Sequence, residues 1–568
     1  MKKAMNLKYW WLFVVVAVLA VNWLASIVHY RLDLTSERRY TLSSPTKKLL
    51  SSLNDKVNIE VFLSGDMPAD FRNLRNGTEE LLQEFKENSN NNVVVRFKKP
   101  GEGLDDAAKQ HVLQYLDSAG IHPTNVKVQS KSGESQEERL VYPGALVTYR
   151  DKILPVDLLQ GLDMSGGLKS LNAANALLEY KFANAVQKAM EENAPLIGYL
   201  EGNGEPLSYN VFDLIERTLK PNYRFGFVPI DSVKTIPQEF NAILIVKPTS
   251  RFNDRQKLKL DQYVMHGGRL IWMIDNLYAE MDSLLRSQSD FIAFDRGLNI
   301  EDQLFKYGVR INQDLVQDLQ CDKLPLAIGN YGDKPQMQLV PWPYFPLLTS
   351  YNDNPISKNL NNVLSIFPNS LDTVEAEGIK KTVLLATSEN TRTLSTPAIV
   401  SLNSVKTEED VKTFNKKNIP IAVLLEGKFK SLYANRISSA IADTLANIYK
   451  QPYLQQAESD NKMIVIADAD IVSNVVTQND GPLQMGTNQF TKTQYANKNF
   501  IINAIEYLVN PSGILSARSK TLALRLLDPA KIEDEKLKWQ IINVGVPVLL
   551  IICFALIYQA VRNKKYTS

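Results

Sequence analysis

Two long apolar runs stand near the two ends of the chain. The first, Tyr9–Val28, carries no charged residue, and at a rise of about 1.5 Å per residue it is long enough to cross a hydrocarbon core of about 30 Å as a helix. The second, Ile541–Val561, has a similar length and is equally free of charge. The pattern therefore predicts one transmembrane helix at each end, over 9–28 and 541–561.

Aromatic and basic residues next to these runs predict their orientation. Trp10 and Trp11 lie at the start of the first run, and Trp539 and Tyr558 lie near the two ends of the second, where interfacial aromatic anchors are expected. Lysines precede the first run, and arginine and lysines follow the second. Because basic flanks stay in the cytoplasm, we predict a two-pass protein of the bacterial inner membrane. Both termini would be cytoplasmic and the bulk of the chain periplasmic.

A cleaved signal peptide is the alternative for the first run. Val18-Leu19-Ala20 would provide a weak small-residue cleavage site. The apolar stretch continues beyond Ala20, which suits a membrane anchor better than a short signal segment.

Alternating and helical patterns fill the segment after the first run. They predict a strand at 57–65, a helix at 70–87, a strand at 93–97, a helix at 107–116, a strand near Val126 and a hairpin at 145–156. We predict residues 1–30 to be tail and anchor, and 31–165 to be a thioredoxin-like α/β domain. The domain has no C-x-x-C sequence, which excludes thiol redox chemistry of that type.

A second α/β pattern occupies the rest of the middle. A long helix over 169–193, within a linking segment 166–194, leads to continuous apolar strands that alternate with amphipathic helices. Strands are predicted at 196–200, 242–246, 270–275, 382–386, 419–425 and 463–467, and helices at 209–219, 255–265 and 499–508. Such alternation predicts a larger, mostly parallel α/β domain over 195–515. The Pro-rich 341–346 reads as surface loop, 516–538 as a membrane-proximal linker, and 539–568 as the second anchor and tail.

The amino-acid composition narrows the range of functions that the protein can have. The chain has 568 residues, of which 44% are hydrophobic and 22% charged, with a formal net charge of +2. These values are ordinary for folded protein and give no overall attraction to nucleic acid. Two cysteines and four unclustered histidines exclude an intrachain disulfide framework and a cysteine-based zinc site. We predict no metal and no cofactor.

Two acidic sequences are candidates for a ligand crevice. EGNGEP, 201–206, follows a predicted strand, so Glu201, Asn203 and Glu205 would line the carboxyl edge of the sheet, where ligands bind in such folds. Asp468 and Asp470 follow another buried strand and could bind a cation or act as acid and base. The structural alternative is that the glycines form a tight turn and that the carboxylates cap local backbone groups.

Motifs for catalysis are missing. There is no Walker A sequence, and His266-Gly267-Gly268 is not accompanied by a nucleophile elbow, so these glycines fit a helix stop better. We therefore predict no catalytic residues.

Several segments together resemble a known family. TLSSPTKKLLSSLNDKVNIEVFLSG, LEGNGEP, HGGRLIWMID, IADADIVSN, NKNFIINAIEYL and LLDPAKIEDEKLKWQIINVGVPVLL are similar to segments of the gliding-motility-associated ABC transporter auxiliary ("substrate-binding") protein family, GldG. The resemblance implies a GldF-like permease and a GldA-like cytoplasmic ATPase as partners. It also implies a glutamine-amidotransferase-like second domain, but the catalytic cysteine and histidine of true amidotransferases have no counterparts here.

The leading hypothesis is a membrane-anchored, non-enzymatic auxiliary subunit of an ABC transporter associated with gliding motility. It would contact membrane lipid and, outside the cytoplasm, other envelope proteins. Two alternatives remain: an envelope scaffold without a transport role, and an enzyme or ligand-binding module that uses the crevice near Glu201, Glu205 and Asp468.

Overall fold

The computed structural model describes residues 15–16, 18–19, 41–65, 67–118, 121–129, 136–159, 168–287, 290–331, 334–402, 408–519 and 529–566. The chain divides into two compact units, 1–521 and 522–568, which are treated separately. Of the N-terminal apolar run, only 15–16 and 18–19 are described, as helix, so the predicted first span, with Trp10 and Trp11, lies outside the described residues. The part from Thr41 to Ser519 is called the body below.

The first part of the body is a four-stranded sheet with helices. Its elements are α1 (Ser44–Ser51), β1 (Val57–Val61), α2 (Ala69–Asn88), β2 (Val93–Phe97), α3 (Asp106–Ser118), β3 (Thr124–Gln129), β4 (Gln136–Val141), β5 (Gly144–Tyr149), β6 (Lys152–Asp157) and α4 (Leu168–Met190). The sheet order is β2-β1-β5-β6, with β1 and β2 parallel and the other pairs antiparallel. Strands β3 and β4 form a separate ribbon. The β5–β6 turn falls at Arg150-Asp151, within the predicted hairpin at 145–156.

The second part is built on a seven-stranded sheet. Its elements up to the fourth sheet strand are β7 (Leu196–Glu201), a composite helical run α5 (209–222), β8 (Arg224–Pro229), β9 (Ala242–Val246), α6 (Asp254–Met265) and β10 (Leu270–Met273). The remaining sheet strands are β18 (Ile379–Ala386), β21 (Pro420–Gly427) and β22 (Asn461–Ile466). In the order β18-β21-β22-β10-β9-β7-β8, the five strands from β22 to β8 are parallel, and β21 is antiparallel to both of its neighbours, β22 and β18. The apolar sequence AILIV of β9 is wholly buried, as a strand covered on both faces requires.

A β-rich insertion with its own hydrophobic core lies between β10 and β18. It contains α7 (Met281–Ser287), β11 (Asp290–Ala293), α8 (Glu301–Tyr307), β12 (Val309–Ile311), β13 (Asp314–Asp318), β14 (Cys321–Tyr331), β15 (Lys334–Leu348), β16 (Val363–Leu364) and β17 (Leu371–Thr373). Short elements complete the body: β19 (Thr391–Ser395), β20 (Ala398–Ser401), α9 (Glu408–Lys412), α10 (Ser439–Asp443), β23 (Val476–Thr477), β24 (Gly481–Pro482) and α11 (Asn497–Val509).

The surface-loop prediction for 341–346 is wrong. This segment belongs to β15, and Trp342, Tyr344 and Phe345 are buried in the core of the insertion, with the Trp342 ring 5.5 Å from that of Phe367. The prolines suggested a loop, but the ladder with β14 shifts register between Pro341 and Pro346. A proline that lacks a donor N–H is tolerated at such an irregularity.

Both ends of the body lie on helix α4. The backbone N–H of Ser43, which caps α1, donates to Glu179 Oε1 at 2.7 Å, and the Ser512 hydroxyl donates to Gln187 Oε1 at 2.8 Å. Leu42 near the first end and Leu515 near the last belong to the same hydrophobic core. The chain therefore enters and leaves the body at neighbouring places.

The second unit contains one long helix, α12 (Pro529–Tyr566). Within it, Glu535–Asn563 is long and apolar enough to cross a membrane, and none of it is buried against protein. No other helix in the described ranges meets this criterion. The candidate span includes the predicted 541–561, and Trp539 and Tyr558 lie on it with exposed side chains.

Candidate functional site: the carboxyl edge of the central sheet

The predicted site residues lie at the edge where the parallel strands end. Glu201 closes β7, and Asp468 and Asp470 follow β22. Between these strands, Lys247 follows β9 and Asp275 comes shortly after β10. We call Glu201–Pro206 the glycine turn. Lys247 with its three acidic partners Asp275, Glu280 and Asp470 is called the lysine cluster.

The glycine turn is closed by hydrogen bonds to the loop after β9. The backbone N–H groups of Thr249 and Ser250 both donate to the Asn203 carbonyl at 2.8 Å. The Asn203 N–H donates to Glu205 Oε2, also at 2.8 Å. Gly204 has φ of +81°, and a Cβ at this position would stand 2.1 Å from Thr249 Oγ1. Two loops thus meet too closely for a side chain at Gly204.

This contact occupies the position where ligands bind in many open α/β sheets. From β7 the chain goes first to β8 on one side and then to β9 on the other, so β7 and β9 form the topological switch point. The crevice expected there is filled by the glycine turn and the Thr249 loop. The hydrogen bonds at this point therefore hold the two loops together.

Buried polar atoms remain within the turn. Asn203 and Glu205 are buried, and neither Asn203 Oδ1 nor Glu205 Oε1 has a hydrogen-bond partner among the described residues. Burial raises the pKa of Glu205, although backbone N–H groups of the turn oppose this. The side chain of Glu201 is only partly buried.

The lysine cluster begins at the neighbouring strand β9 and extends along the edge to β22. The Lys247 ammonium is 2.6 Å from Asp470 Oδ1, 3.0 Å from Glu280 Oε2 and 3.2 Å from Asp275 Oδ2. The contact with Asp275 Oδ2 lacks hydrogen-bond geometry and acts through charge alone. Asp275 also accepts from the Ala469 N–H at 2.6 Å, and Arg296 pairs with Glu280.

Burial dominates the electrostatics of this cluster. It raises the pKa of Asp275 to about 6, with Lys247 opposing the shift and Asp470 adding to it. It also raises the pKa of Asp468, helped by the charges of Asp275 and Asp470. Burial disfavours the charged form of Lys247, but the attraction of the three carboxylates is stronger and the pKa of this lysine is raised.

The insertion covers the end of β22. Asp468 Oδ2 accepts hydrogen bonds from the Ser365 hydroxyl and from the Ile366 N–H, the latter at 2.8 Å. The Asn369 N–H donates to the Ala467 carbonyl at 2.9 Å. Asp468 Oδ1 in turn accepts from the Asp470 N–H at 2.8 Å. Each oxygen of Asp468 thus has a protein partner, and this is the capping role that the structural alternative describes.

The five predicted residues do not form one crevice. Asn203 contacts Glu205, and Asp468 contacts Asp470, but β9 and β10 separate the two groups. At about 4.8 Å per strand the separation is on the order of 14 Å.

The sequence analysis did not include Lys247 and Asp275 among the site residues. Each is the first charged residue after an apolar strand, and this position could have identified them as residues of the carboxyl edge. In the described part of the chain, no group of three or more histidine, cysteine or acidic side chains is arranged to hold a metal, and the Lys247 ammonium supplies the positive charge among these carboxylates.

Comparison with known proteins gives two family matches. Residues 194–504 match the model of a family described as an ABC-type uncharacterized transport system, and residues 36–148 match a domain of unknown function, DUF7088. An uncharacterized protein of Borreliella burgdorferi is 20% identical over 427 residues, which are 73% of this chain and 76% of that protein.

Two solved structures show a weak likeness. The mmIFT52 N-terminal domain aligns with 56% of this chain and 97% of its own, at 13% identity and a TM-score of 0.30. The exo-beta-1,4-mannosidase Op5Man5 from Opitutaceae bacterium strain TAV5 aligns with 77% of this chain and 51% of its own, at 11% identity and a TM-score of 0.19. At these scores neither likeness carries an argument about fold or function.

Proposed function

Because the chain belongs to the ABC-type uncharacterized transport system family, we propose that it is a membrane-anchored, non-catalytic accessory subunit of an ABC transporter. The family implies permease and ATPase partners in general terms. The accessory chain would contribute its folded body, while ATP is hydrolysed by another subunit.

The convergence of the two chain ends is the observation that carries the proposal. Ser43 and Ser512 are both hydrogen-bonded to α4, and Leu42 and Leu515 share one core. A body held by membrane helices at both ends requires its two chain ends to leave on one side. This supports a two-pass topology with spans over 9–28 and 541–561. The basic residues next to both runs favour cytoplasmic termini and therefore a periplasmic body.

The closed carboxyl edge supports a role without catalysis. The glycine turn fills the switch point, and the lysine cluster compensates its carboxylates internally. A catalytic acid or base must reach a substrate, and Asp468 is fully buried under hydrogen bonds from the insertion. We propose that this edge stabilises the body and leaves binding to other surfaces.

The more specific role of the protein is inferred from the resemblance of its sequence segments to the GldG family. We propose that the protein is a GldG-type subunit that pairs with a GldF-like permease and a GldA-like ATPase in gliding motility. Its domains would be a thioredoxin-like one at 31–165 and an amidotransferase-like one at 195–515, joined by the linking segment 166–194. The β2-β1-β5-β6 order and directions of the first sheet support the thioredoxin-like part.

Co-purification tests the accessory role. The full-length chain, tagged and extracted in mild detergent, should bring down one polytopic permease and one ATPase. Leu549→Arg places a charge in the middle of the candidate span and should greatly reduce this capture, since a charge there costs about 3 kcal/mol or more.

Val411→Arg is the matched control. Val411 is an exposed apolar residue on α9 of the body, so the same substitution there should leave the capture unchanged. A wild-type chain that never brings down a permease or an ATPase would contradict the proposal.

A further inference from the structure

A surface cavity lies on the body between helix α8 and the loop that follows β21. It encloses about 290 Å³ and is lined by Asp302, Phe305, Lys306, Leu432, Ala434 and Arg436. None of these residues belongs to the glycine turn or the lysine cluster.

The loop wall of the cavity is held in place by a buried carboxylate. Asp261 on α6 has no solvent exposure and accepts hydrogen bonds from the Ser431 hydroxyl at 2.6 Å and from the Leu432 N–H at 2.9 Å. The Tyr307 hydroxyl at the end of α8 donates to the same carboxylate at 2.9 Å. Both walls are therefore fixed to one group, which makes the cavity a preformed feature of the fold.

The charges that line the cavity leave a positive surplus. Asp302 is paired with Lys257, whose ammonium lies 2.6 Å from Asp302 Oδ1 and whose side chain is only 2% exposed. Within the described residues, neither Lys306 nor Arg436 makes an ion pair, and both are exposed. The buried Lys257 thus balances the charge of Asp302, and Lys306 and Arg436 remain available to a ligand.

Apolar surface completes the lining. Phe305 is 53% exposed, whereas Leu304 and Tyr307 of the same helix are buried, so its ring is available on the cavity surface. Leu432 and Ala434 form the opposite apolar side. The site thus combines cationic groups with an exposed ring, and this combination suits an anion that carries an apolar part.

We propose that this cavity binds a small organic anion, a carboxylate or phosphate attached to an aromatic or aliphatic group. The Arg436 guanidinium would take two oxygens of the anion, Lys306 would add a point charge, and the Phe305 ring would pack against the apolar part. The inference concerns the body alone and does not depend on the proposed transport role.

Titration with phenyl phosphate, benzoate and inorganic phosphate tests the site. The full-length protein in detergent should bind at least one of the two aromatic anions saturably in the millimolar range, followed by calorimetry, and more tightly than inorganic phosphate. The comparison between phenyl phosphate and benzoate identifies the preferred acid group.

Variants of the lining test the roles of its residues. Arg436→Ala should weaken binding at least about tenfold. Arg436→Lys should weaken it less, because lysine keeps the positive charge but cannot donate the two parallel hydrogen bonds of a guanidinium. Phe305→Ala should weaken binding of the aromatic anions by about threefold to tenfold and leave inorganic phosphate unaffected.

Lys430→Ala is the matched control. Lys430 lies on the same loop outside the cavity and pairs with Glu377, so its loss should not change the affinity. All the substituted side chains are at the surface, and an unchanged melting temperature shows that the variants fold. Wild-type protein that binds none of the three probes, or Arg436→Ala protein that binds them as wild type does, overturns the proposal.

Discussion

Lys247 adopts a backbone conformation that lysine rarely takes. Its φ is +46°, in the left-handed region, which costs a non-glycine residue on the order of 1 kcal/mol. The conformation is retained because the ammonium reaches Asp470, Glu280 and Asp275 at once. Removing such a buried cation would leave several carboxylates uncompensated, and this cost is larger than the backbone strain.

The raised pKa of Asp275 predicts a pH-dependent stability. Its folded-state pKa is about 6 against the ordinary 3.8, so the folded protein binds this proton more tightly than the unfolded chain does. The contribution of Asp275 to the free energy of unfolding is therefore fully present below about pH 4 and is lost as the pH rises through about 6. In urea unfolding of the full-length protein, the stability of wild type relative to Asp275→Asn should fall by about 1–3 kcal/mol between pH 4 and pH 7.

Asp353→Asn provides the control for this measurement. The Asp353 side chain is 90% exposed, so its carboxylate stays solvated, although the Lys358 side chain with which it pairs is 16% exposed. Its loss should change the free energy of unfolding by less than about 0.5 kcal/mol at every pH. A wild-type advantage over Asp275→Asn that grows as the pH rises would show that Asp275 is stabilised in its charged form.

At the scale of single residues, the sequence could identify candidates but not their partners. Glu205 and Asp468 follow apolar strands, so their place at the carboxyl edge was predictable. Lys247 and Asp275 stand at equivalent positions, but which strands become neighbours depends on the whole sheet order. Even the order β22-β10-β9-β7 does not decide the pairing, because β7, which precedes Glu205, is the direct neighbour of β9, yet Lys247 pairs with Asp470 beyond β22.

The glycine turn shows how one element closes the edge of the sheet. Gly204→Ala should destabilise the protein by about 2–4 kcal/mol, because the new Cβ meets Thr249 Oγ1 at 2.1 Å and φ is +81°. Gly297→Ala separates the two causes, since Gly297 also has positive φ (+66°) but has no atom within 4 Å of the new Cβ. That variant should lose only about 1 kcal/mol.

A double variant sharpens the comparison. Thr249→Ala removes the nearest atom, so Gly204→Ala should cost less in that background than in the wild type, as measured by urea unfolding. If Gly204→Ala costs no more than Gly297→Ala, the close approach of the two loops does not contribute to stability.

Secondary structure was predictable where the periodicity was unmixed. The apolar strands β9 and β10 lie where the pattern placed them, since such runs are too short for a buried helix, and the helix α6 begins at the capping box of Asn253 and Gln256. The segment 341–346 was misread because its prolines suggest a turn. Only packing against Phe367, which is distant in sequence, explains why its aromatic residues are buried.

At the scale of the molecule, the shared exit of the two chain ends predicts an orientation that cysteine labelling can test. Lys417→Cys puts a thiol on the body, where the lysine side chain is 65% exposed, and Arg562→Cys puts one just beyond the predicted apolar run 541–561. The native thiols should contribute little background. Burial raises the pKa of Cys321 to about 12, which leaves almost no reactive thiolate, and Cys553 lies within the span.

In spheroplasts with an intact inner membrane, a membrane-impermeant maleimide should label Lys417→Cys and spare Arg562→Cys, and lysis should make both reactive. Each variant is the control for the other, because both carry one added thiol on the same chain. A body labelled only after lysis would place it in the cytoplasm. Equal labelling of both positions before lysis would mean that the C-terminal helix does not cross the bilayer. The first result would contradict the predicted sidedness of the body, and the second would contradict the two-pass topology.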